Sequence, residues 1–133
     1  MANQSKIKDH KEAFNYINEL FTGLEKEKLV LICLDKDNYL LNSSIKDTII
    51  SEGFKGRVKL DVRLILKKSL LKNAYKVILC HNHPPGCKLE PTQEDIILTK
   101  EIKRILKLVD IKLIDHLIIS GERYNSLKVE KII

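Results

Sequence analysis

The run Leu29-Val-Leu-Ile-Cys-Leu34 contains no polar side chain. Six residues is the length of a strand and far short of a membrane span, and successive strand residues point to opposite faces of a sheet. Such a strand therefore needs cover on both faces. Asp35-Lys-Asp-Asn38 follows with turn chemistry, and a second candidate strand starts at Tyr39, so the pair reads as a hairpin. Lys76-Val-Ile-Leu-Cys80 repeats the buried pattern and runs into His81-Asn-His83-Pro-Pro-Gly86, where proline and glycine must end the ladder.

Helices supply the cover. Ala13, Phe14, Ile17, Leu20 and Phe21 recur at helical spacing and predict a first helix over about 9 to 22, stopped by Gly23. Val62, Ile65, Leu66, Ser69 and Leu70 predict a second, ending near Asn73. A third starts near Thr92, after Pro91, with Ile96, Ile97, Ile102, Ile105, Leu106 and Val109 on its inner side. Strands at about 111 to 119 and 123 to 128 then meet across the Gly121-Glu-Arg turn. The fold class is α/β, a mixed sheet with helices on more than one face. No Pro/Gly/Ser-rich stretch or repeat divides the chain, so residues 1–133 read as one domain, with 1–24 an N-terminal helix leading into it.

At 44% apolar and 32% charged the chain can bury a core, which excludes extensive disorder. The absence of a signal-peptide apolar region makes the cytoplasm the default and a membrane partner unexpected. Cys33, Cys80 and Cys87 are an odd set, two of them in buried strands, and resemble cytosolic thiols rather than a disulfide framework. The net charge of +6 would suit an acidic partner. However, Lys67, Lys68, Lys72, Lys100, Lys103 and Lys107 have no aromatic residues among them to stack bases, so a solvated helix face is the commoner explanation and nucleic acid the lesser one.

His81 and His83 stand two apart at a strand end, where alternation sends both rings to one face and Asn82 to the other. Two imidazoles on one face can share a metal, and Asp95 at the start of the third helix can add a carboxylate oxygen, leaving a fourth position open for water. Thr92-Gln-Glu-Asp95 also fits a capping box, in which the acid only satisfies a backbone N–H. Glu27, just before the Leu29 to Leu34 strand, is the candidate proton carrier, although composition alone makes Glu25-Lys-Glu27-Lys a solvated charge cluster.

His81-Asn-His83-Pro-Pro-Gly86 followed by Pro91-Thr92-x-x-Asp95 resembles the HNHPSG…PSxxD stretch of the RadC-like JAB domains, the JAMM motif of zinc isopeptidases. Ile111 to Ile119, Arg123-Tyr124-x-Ser126-Leu127 and, upstream, Glu27-x-Leu29 with Leu34-Asp35 extend the likeness over roughly Glu27 to Leu127. The resemblance implies a curved mixed sheet flanked by helices, the three-layer, cytidine-deaminase-like MPN fold. It implies zinc held by His81, His83 and Asp95, Glu27 as general acid/base, and Thr92 in the serine position that helps polarise the tetrahedral intermediate. Pro85 and Thr92 replace serines of the pattern, and the loop to Asp95 is one residue longer than usual. The helix-hairpin-helix region that precedes this domain in full-length RadC proteins is not expected here.

The function this implies is zinc-dependent hydrolysis of a peptide or isopeptide bond in a peptide or protein substrate, with a homodimer as one possible assembly. The alternative is a non-catalytic binding module of the same fold, for nucleic acid or protein. A nucleobase deaminase is set aside because His-x-Glu and Pro-Cys-x-x-Cys are absent, and an HNH nuclease because that motif is dispersed along a ββα unit. Cys87 is a lesser candidate for a structural Cys/His site. His116, beside Asp115 in an apolar strand, is expected as a hydrogen-bonded core or supporting histidine rather than a ligand.

Overall fold

The computed structural model describes residues 5–22, 26–52, 60–83 and 88–133. Gly23 and Cys87, both singled out in the sequence, lie outside them. Strand β1 (Lys28–Leu34) is buried along its whole length. It pairs antiparallel with β2 (Ile49–Glu52) on one side and β3 (Lys76–Asn82) on the other. β3 runs parallel to β4 (Lys112–Ser120), which turns back antiparallel into β5 (Arg123–Ser126). The order β2-β1-β3-β4-β5 makes a mixed, open sheet with β1, β3 and β4 inside it.

Helix α1 (His10–Ile17), capped by the Asp9 carboxylate on the Glu12 N–H at 2.9 Å, continues as a 3-10 turn to Phe21. Its Ala13, Phe14 and Ile17 pack with Val30, Ile32 and Leu34 of β1 and with Ile78 and Cys80 of β3. The alternate residues Leu29, Leu31, Cys33, Val77 and Leu79 meet Ile65 of α2 (Val62–Leu71) and Ile102 and Leu106 of α3 (Gln93–Leu108) on the opposite face. Three layers follow from this alternation, with one helix on one face and two on the other. Burial pushes the Cys33 thiol up to about 12 and raises that of Cys80 as well, so both are inert core thiols. Among the described residues no helix is long and apolar enough to cross a membrane.

Alternation slips at Ile50 in the edge strand β2 and again in β4, where the slip has consequences for the site. Val77 pairs with Leu113 but Ile78 with Asp115, so Ile114 is an extra residue in β4. An added residue reverses which face every later side chain takes. Leu113 therefore faces α2 and α3, whereas Leu117 and Ile119 face α1, and His116 is turned toward α3. Asp115 locks the slip in place. Buried, it accepts the His116 N–H at 2.7 Å, the Ser126 hydroxyl at 2.6 Å and the Lys128 N–H at 3.1 Å. Asp115→Ala leaves these donors without their acceptor and is expected to lower stability by about 3 kcal/mol in a denaturant titration.

Three details correct the sequence reading. Tyr39 starts no strand: Tyr39 and Leu40 make single bridges to Lys6 and Leu34. The Asn42 side chain instead accepts the Cys33 N–H at 2.8 Å and donates to the Leu31 carbonyl at 3.3 Å, satisfying the edge that a hairpin partner would have taken. On that side the antiparallel neighbour of β1 is β2, four residues of which three are half-buried and Glu52 is exposed. On α3, Ile97 is 64% and Val109 40% exposed, so neither belongs to the inner side. β5 ends at Ser126, where Leu127 to Lys131 turn away, rather than at 128.

Candidate metal centre

The site lies where β3 ends, on the sheet face covered by α2 and α3. The inner line of α3 begins with polar residues: Asp95, Thr99, Ile102 and Leu106 follow helical spacing, and the first two are where this line passes the end of β3. His81 and His83, two residues apart, share that face, and the capped start of α3 brings Asp95 to them. His83 Nε2 is 3.4 Å and His81 Nε2 3.8 Å from Asp95 Oδ2. One ligand atom from each of the three residues lies within 4.8 Å of the others, and they are the one such His/Cys/Asp/Glu group among the described residues. The additional loop residue thus leaves Asp95 with both histidines.

Asp95 caps the helix and stands beside both histidines at once, so the two readings of Thr92-Gln-Glu-Asp95 do not compete. The Thr92 hydroxyl accepts the Asp95 N–H at 3.0 Å, and Asp95 Oδ2 accepts the Thr92 N–H at 3.0 Å. This reciprocal pair fixes the carboxylate. Burial would raise the Asp95 pKa, but the hydrogen bond with His83, the His81 charge and the bonds to Thr92 hold it well below the usual carboxylate range. His83 moves the other way. Its hydrogen bond to Asp95 raises its pKa against the effect of burial, helped by the Lys88 carbonyl and by the charges of Asp95 and Glu27. A place that favours a proton between two acids favours a cation.

Each ring is also held from behind. His83 Nδ1 lies 2.8 Å from the Lys88 carbonyl, which can only accept, so Nδ1 carries a hydrogen and Nε2 is the nitrogen turned to Asp95. His81 Nδ1 lies 2.7 Å from His116 Nε2. His116 is 0% exposed, and burial, followed by the His81 charge, pushes its pKa well below the usual histidine value.

Glu27 is 5% exposed, so it is not part of a solvated charge cluster. Glu27 stands just before β1, whose Leu29 pairs with His81, and is near enough for its charge to raise the His83 pKa. Asn82, on the other side of the strand, clamps the approach: its Oδ1 accepts the Lys28 N–H at 2.6 Å and its amide donates to the Lys26 carbonyl at 2.8 Å. Both backbone groups flanking Glu27 are thereby tied to the residue between the two histidines.

The profile of the RadC-like JAB domain matches residues 7–132. The chain belongs to this family. It is 36% identical over 127 residues to a UPF0758 protein of Flavobacterium johnsoniae, covering 96% of this chain and 53% of that protein. A UPF0758 protein of Pseudoalteromonas translucida is 37% identical over 109 residues, 82% of this chain and 46% of its own length. One from Methanosarcina barkeri is 33% identical over 125 residues, 94% and 52% respectively. The chain spans about half the length of these relatives. In this RadC-like JAB domain, sequence reasoning passed over Thr99, Asn82 and the Lys88 carbonyl. Thr99 left a signal, a hydroxyl on the inner line of α3 where an apolar side chain would pack more simply.

Proposed function

We propose that this RadC-like JAB domain is a zinc metallohydrolase that cleaves a peptide or isopeptide bond. What carries the reading is the convergence of His81 Nε2, His83 Nε2 and Asp95 Oδ2, with a buried Glu27 whose charge acts on His83. The donor set fits zinc. Ligands about 2.0–2.1 Å from a tetrahedral zinc stand roughly 3.3–3.4 Å from one another, close to the 3.4 and 3.8 Å that separate the two ring nitrogens from Asp95. Three protein ligands leave a position open, as in catalytic rather than structural sites. When bound, the ion would supply Lewis acidity toward the substrate carbonyl and make water a better nucleophile near neutral pH.

The chain's own residues do the rest. Glu27 takes the proton of the attacking water as oxygen adds to the carbonyl carbon, and returns it to the amine nitrogen as the C–N bond breaks. Thr92 holds Asp95 through the cap and has its hydroxyl hydrogen left to donate toward the carbonyl oxygen. A cleft of about 600 Å³ is lined by Lys88, Leu89, Arg123 and Asn125, and the Lys88 carbonyl holds the His83 ring from behind.

The test is hydrolysis of linear and isopeptide-linked peptide libraries before chelation, after it, and after zinc is restored. Cleavage should disappear with the chelator and return with zinc, while far-UV circular dichroism stays unchanged because the sheet is held by its two apolar faces. Cleavage indifferent to chelation would contradict the proposal, and so would loss of secondary structure, which marks a structural metal.

A further inference from the structure

Seven large apolar side chains are exposed among the described residues, and five of them, Leu70, Leu71, Tyr75, Leu108 and Val109, stand at one end of the molecule. The topology puts them there. α2 leads into β3 and α3 into β4 through short turns, and β3 and β4 run parallel, so both helices end where those strands begin. His81 and His83 are at the other end of β3, roughly 20 Å of strand away. Tyr75 joins the two halves of the patch, since it follows α2 and its carbonyl accepts the Lys112 N–H at 2.9 Å at the foot of β4. Leu71 is 72% and Leu108 75% exposed. Beside Leu108, the end of α3 and the start of β4 form a groove of about 350 Å³ lined by the buried Ile111 and Leu113 and by Lys103, Lys107 and Lys112, with Asp110 its one acid.

Charge is gathered around this patch. Residues 62–76 and 100–112, which carry it, hold ten Lys or Arg and two acids, Glu101 and Asp110, a surplus larger than the +6 of the whole chain. Glu101 is engaged by Arg104, and no acid pairs with Lys103, Lys107 or Lys112 among the described residues. Two copies of the chain meeting through this face would set lysines against lysines. Nucleic acid would use the lysines but gain little from four aliphatic side chains, with Tyr75 alone able to stack on a base. Apolar side chains rimmed by unpaired cations suit a partner that is apolar on one side and acidic at its margins. We infer that this end of the domain docks an acidic amphipathic segment of another protein, whose apolar side chains cover Leu71 and Leu108 and enter the groove, and whose carboxylates meet Lys103, Lys107 and Lys112. Docking there leaves the candidate metal centre open, and the inference stands independently of the zinc reading.

The probe is a synthetic peptide of about five helical turns, with leucines on one face and glutamates on the other. It is titrated into the ¹⁵N-labelled chain at low ionic strength, beside a scrambled peptide of the same composition. Amide shifts should gather at residues 70–75 and 107–113 and leave His81 and His83 unmoved. Leu71→Ser/Leu108→Ser should weaken binding by about 10-fold or more, through the apolar area it takes from the interface. Lys103→Glu/Lys107→Glu should weaken it by about 10-fold as well, an effect that shrinks as salt is added. All four positions are exposed, so both variants should keep the native melting temperature. If one does not fold, the shift map of the native chain and its preference over the scrambled peptide decide. No binding, equal binding of the scrambled peptide, or shifts confined to other surfaces overturns the inference. A DNA duplex that binds more tightly than the peptide and ignores the leucine substitutions would assign the face to nucleic acid instead. A dimer in analytical ultracentrifugation that Leu71→Ser/Leu108→Ser dissociates would assign it to a second copy.

Discussion

Glu27→Gln is expected to keep zinc and lose roughly 10²-fold or more in peptide or isopeptide hydrolysis, with the loss falling on kcat. The amide matches the carboxylate in size and keeps an acceptor oxygen, so the packing of this 5%-exposed side chain need not change. It cannot carry a proton from water to amine. Zinc content before and after the substitution separates binding from chemistry, and Asn82, which clamps Lys26 and Lys28 on either side, keeps the backbone of residue 27 where it is. Activity equal to the native chain's would remove Glu27 from the mechanism. Absence of hydrolysis in both forms, with zinc bound in both, would favour the binding-module reading of the same fold.

At Asp95 two substitutions should separate two roles. Asp95→Asn retains an oxygen that can accept the Thr92 N–H, so helix α3 should keep its cap and the chain its melting temperature within a few degrees. Zinc affinity should fall roughly 100-fold or more, since losing even an outer partner of a ligand costs 10–100-fold. Asp95→Ala should lose the metal and, in addition, about 1 kcal/mol with the cap. Calorimetry and zinc titration of the pair measure both. If Asn binds zinc like the native carboxylate, Asp95 is a cap only.

Much of the site is legible in the sequence because it obeys strand and helix periodicity. His81 and His83 face one way because strands alternate, and Asp95 arrives with them because a capped helix start fixes its first turn. The buried character of β1 and β3 was equally plain from their unbroken apolar runs. What stayed hidden depends on contacts between distant segments. Thr99 and His116 stand 17 residues apart, and their pairing needs the bulge at Ile114, which no local pattern announces. The clamp of Asn82 on Lys26 and Lys28 spans more than fifty positions of chain. β2, a four-residue edge strand, is too short for its alternation to stand out in the sequence, and Ile97 and Val109 are apolar positions that the structure leaves in solvent.

The metal content of the purified chain bears most directly on the central claim that His81, His83 and Asp95 hold a catalytic zinc. Elemental analysis after dialysis should find one zinc per chain, and the His81→Ala/His83→Ala double variant should contain none. No zinc in the native chain even after reconstitution, or undiminished zinc in the double variant, would contradict the account.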